Sequence, residues 1–83
     1  MASTGGPQQN ELKMLFGKRV RALRTERGWS QEELADRAGL DRTYVSSLER
    51  GHRNVALLNI VRLAEGLEVD PGSLLAGFQS TPG

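Results

Sequence analysis

The sequence contains no cysteine. Neither a disulfide framework nor a thiolate zinc site is open to it. It has a single histidine, His52, which excludes a multi-histidine metal site. Aromatic residues are scarce: Phe16, Trp29, Tyr44 and Phe78 are the full set. No apolar run approaches the ~20 residues that a bilayer-spanning helix needs. No repeat on the order of 20–50 residues fits such a length. None of Asn10, Asn54 and Asn59 is followed two residues later by Ser or Thr, so no N-glycosylation acceptor is present. The stretch from Met1 to Asn10 has neither a charged n-region nor an apolar h-region. A signal peptide is therefore not expected, and a cytoplasmic location is. An excess of charge is lacking too. Eleven Lys/Arg stand against ten Asp/Glu, a net +1, which as a bulk number argues against a basic protein coating nucleic acid.

What is present fits one small helical domain. A chain of 83 residues buries ~60% of its unfolded surface, so its stability is modest. Residues 1–10 and 79–83 are mostly Gly, Ser, Thr, Pro and Gln, and read as flexible tails around a domain at 11–78. No alternating segment is long enough for a sheet, so the class is all-α. Five helices are expected. The first runs from about Glu11, with Asn10 as N-cap, to about Arg27, and Gly28 stops it. Its apolar stripe is Leu12, Leu15, Phe16, Val20 and Leu23. The second opens on Ser30-Gln31-Glu32-Glu33, a Ser-x-x-Glu capping box, with Leu34, Ala35 and Ala38 turned inward. Trp29 precedes that cap and staples it to the core. The third follows Asp41 and ends at Gly51, with Val45 and Leu48 inward and Tyr44 either packing or reaching out. The fourth covers about Ala56 to Gly66 and is apolar on more than one face. The fifth begins at Pro71 and offers Leu74, Leu75 and Phe78.

The informative unit is Gln31 to Gly51. Counting from Ala35, Gly39 follows by four residues, Val45 by ten and Leu48 by thirteen. A small residue at Ala35 permits a close helix crossing. Gly39 suits a tight turn with positive φ. Val45 and Leu48, three apart, anchor the second helix of the pair. These are the requirements of a helix-turn-helix. The outward positions Arg42, Thr43, Ser46, Ser47 and Arg50 are arginine and small hydroxyl residues. Arginine forks onto guanine O6 and N7, and threonine offers a hydroxyl and a methyl to a base edge.

These strings resemble the helix-turn-helix of the phage repressor/Cro (Xre-type) regulators, over Leu15 to Phe78. Ser30-Gln31-x-x-Leu34-Ala35 and Leu48-Glu49-Arg50-Gly51 are the most specific. Leu40-Asp-Arg-Thr-Tyr-Val-Ser, Glu49-Arg-Gly-His-Arg-Asn54 and Leu58-Asn-Ile60 are similar to restriction–modification controller proteins. The resemblance implies a compact five-helix, lambda-repressor-like DNA-binding domain. It places Arg42, Thr43 and Ser47 where bases are read, with Ser46 secondary. It implies that Gln31 holds a phosphate and braces the recognition helix. Arg50, Arg53 and Asn54 fall where the DNA backbone is gripped, and Tyr44 either reaches a phosphate or packs. Arg24 and Glu49 match an internal salt bridge.

Charge is divided along the chain. Ten of the eleven bases lie between Lys13 and Arg53 with six acids, a balance of +4. From Asn54 onward Arg62 faces Glu65, Glu68 and Asp70, a balance of −2. The basic part coincides with the helix-turn-helix, as an electrostatic footprint on phosphate should. The apolar surplus of the last two helices marks an interface, with Ile60, Leu74, Leu75 and Phe78 as candidates. The expected partner is a double-stranded, near-palindromic operator bound by a homodimer, with pairs of dimers filling adjacent sites. Neither cofactor, metal, small-molecule ligand nor membrane is expected. The rival reading keeps the fold but makes it an Xre-type antitoxin or interaction module. No catalytic constellation accompanies Glu32 and Glu33, so an enzyme is not expected.

Overall fold

Capping residues and turn glycines divide the chain into helices close to where the sequence places them. The computed structural model describes residues 9–78, in the order α1 (Gln9–Glu26), α2 (Gln31–Ala38), α3 (Arg42–Glu49), α4 (Leu57–Leu67) and α5 (Pro71–Leu74). The tails expected at 1–10 and 79–83 lie outside the described residues, except that Gln9 and Asn10 already belong to α1. Asn10 is therefore inside the first turn and is not its cap. α1 ends before Gly28, whose φ of 72° turns the chain toward α2.

Ser30 caps α2 by accepting from the Glu33 backbone N–H at 3.0 Å. Only half of the capping box forms in this way, because the Glu33 carboxylate turns to Arg37, one helical turn on, at 2.7 Å. Gly39 ends α2 in the left-handed region, with φ 69° and ψ 35°, and its N–H returns to the carbonyls of Ala35 and Asp36. A side chain there would meet nothing within 4 Å. Backbone conformation, not space, therefore selects glycine at this turn. Asp41 caps α3 by accepting from the Thr43 N–H at 3.1 Å. α3 stops at Glu49, two residues earlier than expected, with Arg50 as C-cap.

The core is Phe16, Val20, Leu34, Ala35, Ala38, Val45, Leu48, Leu63, Ala64, Leu67 and Leu74. Each of the larger side chains contributes about 1.5–3 kcal/mol on burial. Val45 and Leu48 anchor α3 as their spacing requires. Two expectations change. Leu12 and Leu15 remain partly exposed, so the buried stripe of α1 is centred on Phe16, Gly17 and Val20. Leu74, expected at an interface, is fully buried. α5 is four residues long and Leu74 is its only buried residue, so this side chain is what pins the element to the core.

Close helix approaches rest on glycine and alanine. A Cβ on Gly17 would lie 2.5 Å from the Leu48 carbonyl oxygen and 2.8 Å from that of Glu49. α1 therefore lies directly against the end of α3. Gly66 on α4 meets the Ala38 backbone on α2 in the same manner, at 3.0 Å from an added Cβ. Together these contacts hold α2 and α3 in a fixed pose on α1 and α4.

Candidate nucleic-acid interface

With Val45 and Leu48 buried, the opposite side of α3 faces outward. Arg42 and Thr43 are exposed, Ser46 and Ser47 half-exposed, and Arg50 exposed beyond the helix end. The steps from Arg42 to Ser46 to Arg50, and from Thr43 to Ser47, are each one helical turn. The face is thus cationic at its ends and hydroxylic in its middle. Arg53 and Asn54 extend it, both exposed in the segment between α3 and α4.

Glu49, the one acid on α3, does not reach this face. Its carboxylate receives Arg24 Nε at 2.7 Å and Arg24 Nη2 at 2.9 Å, a bidentate pair across α1 and α3. The two side chains are only 12% and 3% exposed. Arg24 Nη1 also donates to the Trp29 carbonyl at 2.8 Å. The hydrogen bond to Glu49 raises the Arg24 guanidinium above arginine's ordinary value. Burial opposes that shift and the Glu49 charge adds to it. Arginine is already charged throughout the physiological range. The Arg24 side of the pair therefore contributes stability at every pH below arginine's ordinary value, and none of it is lost near neutrality.

Gln31 joins the same carboxylate, donating from Nε2 to Glu49 Oε1 at 3.1 Å. This bond ties the start of α2 to the end of α3. A primary amide has two N–H donors. One is held by Glu49, and the second is available at the half-exposed start of α2. Trp29, just before α2, lies under the Arg37 guanidinium, 4.0 Å from ring centroid to Cζ.

Tyr44 packs. It is half-buried, and its hydroxyl accepts from Asn59 Nδ2 at 3.2 Å. Its ring carries the Arg53 guanidinium at 5.3 Å. The ring thus packs, and at the same time it orients a cation at the edge of the outward face. Sequence reasoning named Tyr44 and Arg53 separately and missed their stacking and the Asn59 tether. Arg53 lies nine residues beyond Tyr44, outside any helical i, i+4 rule.

The helix-turn-helix family matches residues 20–74, which span the Gln31–Gly51 pair and the helices that carry it. The chain belongs to the helix-turn-helix family. This helix-turn-helix protein is 53% identical to the restriction-modification controller protein C.AhdI from Aeromonas hydrophila. That crystal structure superposes with a TM-score of 0.73, over 75% of this chain and 94% of that one. The controller protein C.Esp1396I, in a tetramer complexed with its natural 35 base-pair operator, is 34% identical with a TM-score of 0.72, covering 77% and 84% of the two chains. A hypothetical transcription factor of Neisseria meningitidis serogroup B is 46% identical over 69 residues, 83% of this chain, and this chain spans 65% of its length.

A second surface of this helix-turn-helix protein is apolar. Leu57 and Leu58, at the start of α4, are 76% and 59% exposed, and Leu75 is 45% exposed. Ile60 and Phe78 are half-buried against the core. Leu12, Phe16, Val55, Ile60, Leu75 and Phe78 line a groove of about 240 Å³ between α1, α4 and the α5 end. Of the four interface candidates, Leu75 is therefore outward, Ile60 and Phe78 are intermediate, and Leu74 is removed. Leu57 and Leu58 were not among them. Their signal was the surplus of apolar residues on α4. Among the described residues, no helix is long and apolar enough to cross a membrane.

Proposed function

We propose that this chain is a sequence-specific transcription regulator that binds a near-palindromic double-stranded operator as a homodimer, as a controller protein of a restriction–modification system. The observation that carries this reading is the outward face of α3, with Arg42 and Thr43 exposed, Ser46 and Ser47 half-exposed, Arg50 exposed at its end, and its only acid turned inward onto Arg24. Arg42, Thr43, Ser46 and Ser47 read base edges in the major groove. Gln31, Arg50, Arg53 and Asn54 hold the backbone on either side, and Tyr44 acts through Arg53. Phosphate contacts fix register, and base contacts specify sequence.

A single α3 of eight residues reads only a few base pairs. Doubling it across a two-fold places two such helices about 34 Å apart, one turn of DNA. The apolar surface of Leu57, Leu58, Ile60, Leu75 and Phe78 is the seat for the second copy. The tetrameric operator complex of C.Esp1396I supports self-association of this fold. The chain works in the cytoplasm, where its DNA is. Regulation follows protein concentration: low occupancy activates the controller and restriction genes, and high occupancy represses them. Neither catalysis nor a bound cofactor enters the mechanism.

The test is selection of bound duplexes from a random library, with affinity then measured against salt. An inverted repeat with half-sites about one turn apart is expected. Enrichment of no motif, or of a lone half-site, would overturn the reading.

A further inference from the structure

Arg19 belongs neither to the DNA face nor to the core. From α1 its guanidinium reaches three points near the end of the described chain. Nη1 donates to the Ser73 carbonyl at 2.6 Å, and Nη2 donates to the Ala76 carbonyl at 2.9 Å. The same group lies over the Phe78 ring, 4.9 Å from its centroid. One α1 side chain therefore grips a carbonyl inside α5, a carbonyl beyond it, and an aromatic ring two residues further on.

The segment needs such a grip. An isolated helix of four residues is far below the length that sustains itself in water. Its final carbonyls have no partners within the helix. Leu74 is its only buried residue, and one anchoring point does not fix the rotation of the segment about that point. Arg19 adds two hydrogen bonds and a ring contact on either side of Leu75. Leu75 and Phe78 are the two residues by which this segment lines the apolar groove.

We infer that Arg19 is a positioning residue for self-association, holding Leu75 and Phe78 in the arrangement that the second copy meets. This role rests on the dimeric reading above. It makes dimer assembly depend on a cation that touches neither DNA nor the partner's recognition helix.

The test uses the full chain as wild type, Arg19→Ala and Arg19→Lys. Dimer dissociation is measured by sedimentation, folding by thermal melting, and half-site affinity with a short duplex. Arg19→Ala is expected to raise the dimer dissociation constant about tenfold or more, the order of one lost charge-assisted hydrogen bond. Melting should move by only a few degrees, and half-site binding should match wild type. Arg19→Lys keeps the charge but not the planar fork, so its dimer should be intermediate. An Arg19→Ala chain that dimerises like wild type overturns the role. So does one whose melting temperature falls by about ten degrees or more, since Arg19 would then be a general scaffold residue. A wild-type chain that stays monomeric while binding its selected DNA overturns the dimeric reading itself.

Discussion

At the scale of single residues, the pose of α3 depends on a side chain that is missing from α1. Gly17 has no side chain because the carbonyls of Leu48 and Glu49 occupy the space where one would lie. Alanine is the better helix former by about 1 kcal/mol. Here that gain is opposed by a clash with backbone, which cannot rotate away as a flexible side chain would. Gly17→Ala is expected to destabilise the domain by ~2 kcal/mol, within the range for overpacking. That corresponds to a fall of roughly 10 °C in a chain of this size. An unchanged melting temperature would mean that α1 does not lie this close to α3. Arg42 is exposed at the first position of α3 and owes little to the fold. Arg42→Ala should leave melting unchanged, weaken operator binding by about 1–3 kcal/mol and relax preference at one base pair. Equal loss on every sequence would make Arg42 a phosphate contact instead.

At the scale of elements, Glu49 is the joint. It ties α3 to Arg24 on α1 and to Gln31 on α2, so three helices share one carboxylate. The two partners should separate by experiment. Glu49→Ala leaves Arg24 buried without its counter-charge and is expected to cost ~3 kcal/mol of stability. Gln31→Ala leaves the Arg24–Glu49 pair intact, so stability should change by less than about 1 kcal/mol while operator affinity falls. If Gln31→Ala melted as low as Glu49→Ala, the glutamine would be a fold residue with no separate part in binding. The pair itself, 25 residues apart in sequence, was legible only through a family resemblance, whereas the turn at Gly39 and the anchors Val45 and Leu48 were legible from residue type and spacing. Local rules account for these, since caps, turns and helical spacing act over a few residues. What could not be read depends on distant parts of the chain meeting. Gly17 looks like an ordinary helix interruption until α3 is placed against it. Leu74 and Leu75 are adjacent apolar residues, and only docking of α5 decides that one is core and the other surface. Glu33 suits both a capping box and an i, i+4 pair with Arg37, and the pair takes it.

At the scale of the molecule, the net charge of +1 hides a division of labour. The basic part of the sequence carries α3, and the later, acidic part carries the exposed Leu57 and Leu58 of α4 and Leu75 just beyond α5. In the proposed dimer, self-association and DNA affinity are linked by geometry, because joining two half-site readers makes the second contact intramolecular. Leu57→Gln, Leu58→Gln and Leu75→Gln alter exposed side chains, so the monomer should keep its stability within about 0.5 kcal/mol per site. The combined variant should sediment as a monomer. Its effect on DNA should appear in the salt dependence as well as in the affinity. Arg50 and Arg53 give each protomer two exposed cations for phosphate, so a dimer on a full operator presents four. The slope of log affinity against log salt should be roughly −4 for wild type and about half that for the monomeric variant on the same duplex. Equal slopes with equal affinity would show that one protomer makes all the contacts, and that the exposed leucines serve something other than a second copy of this chain.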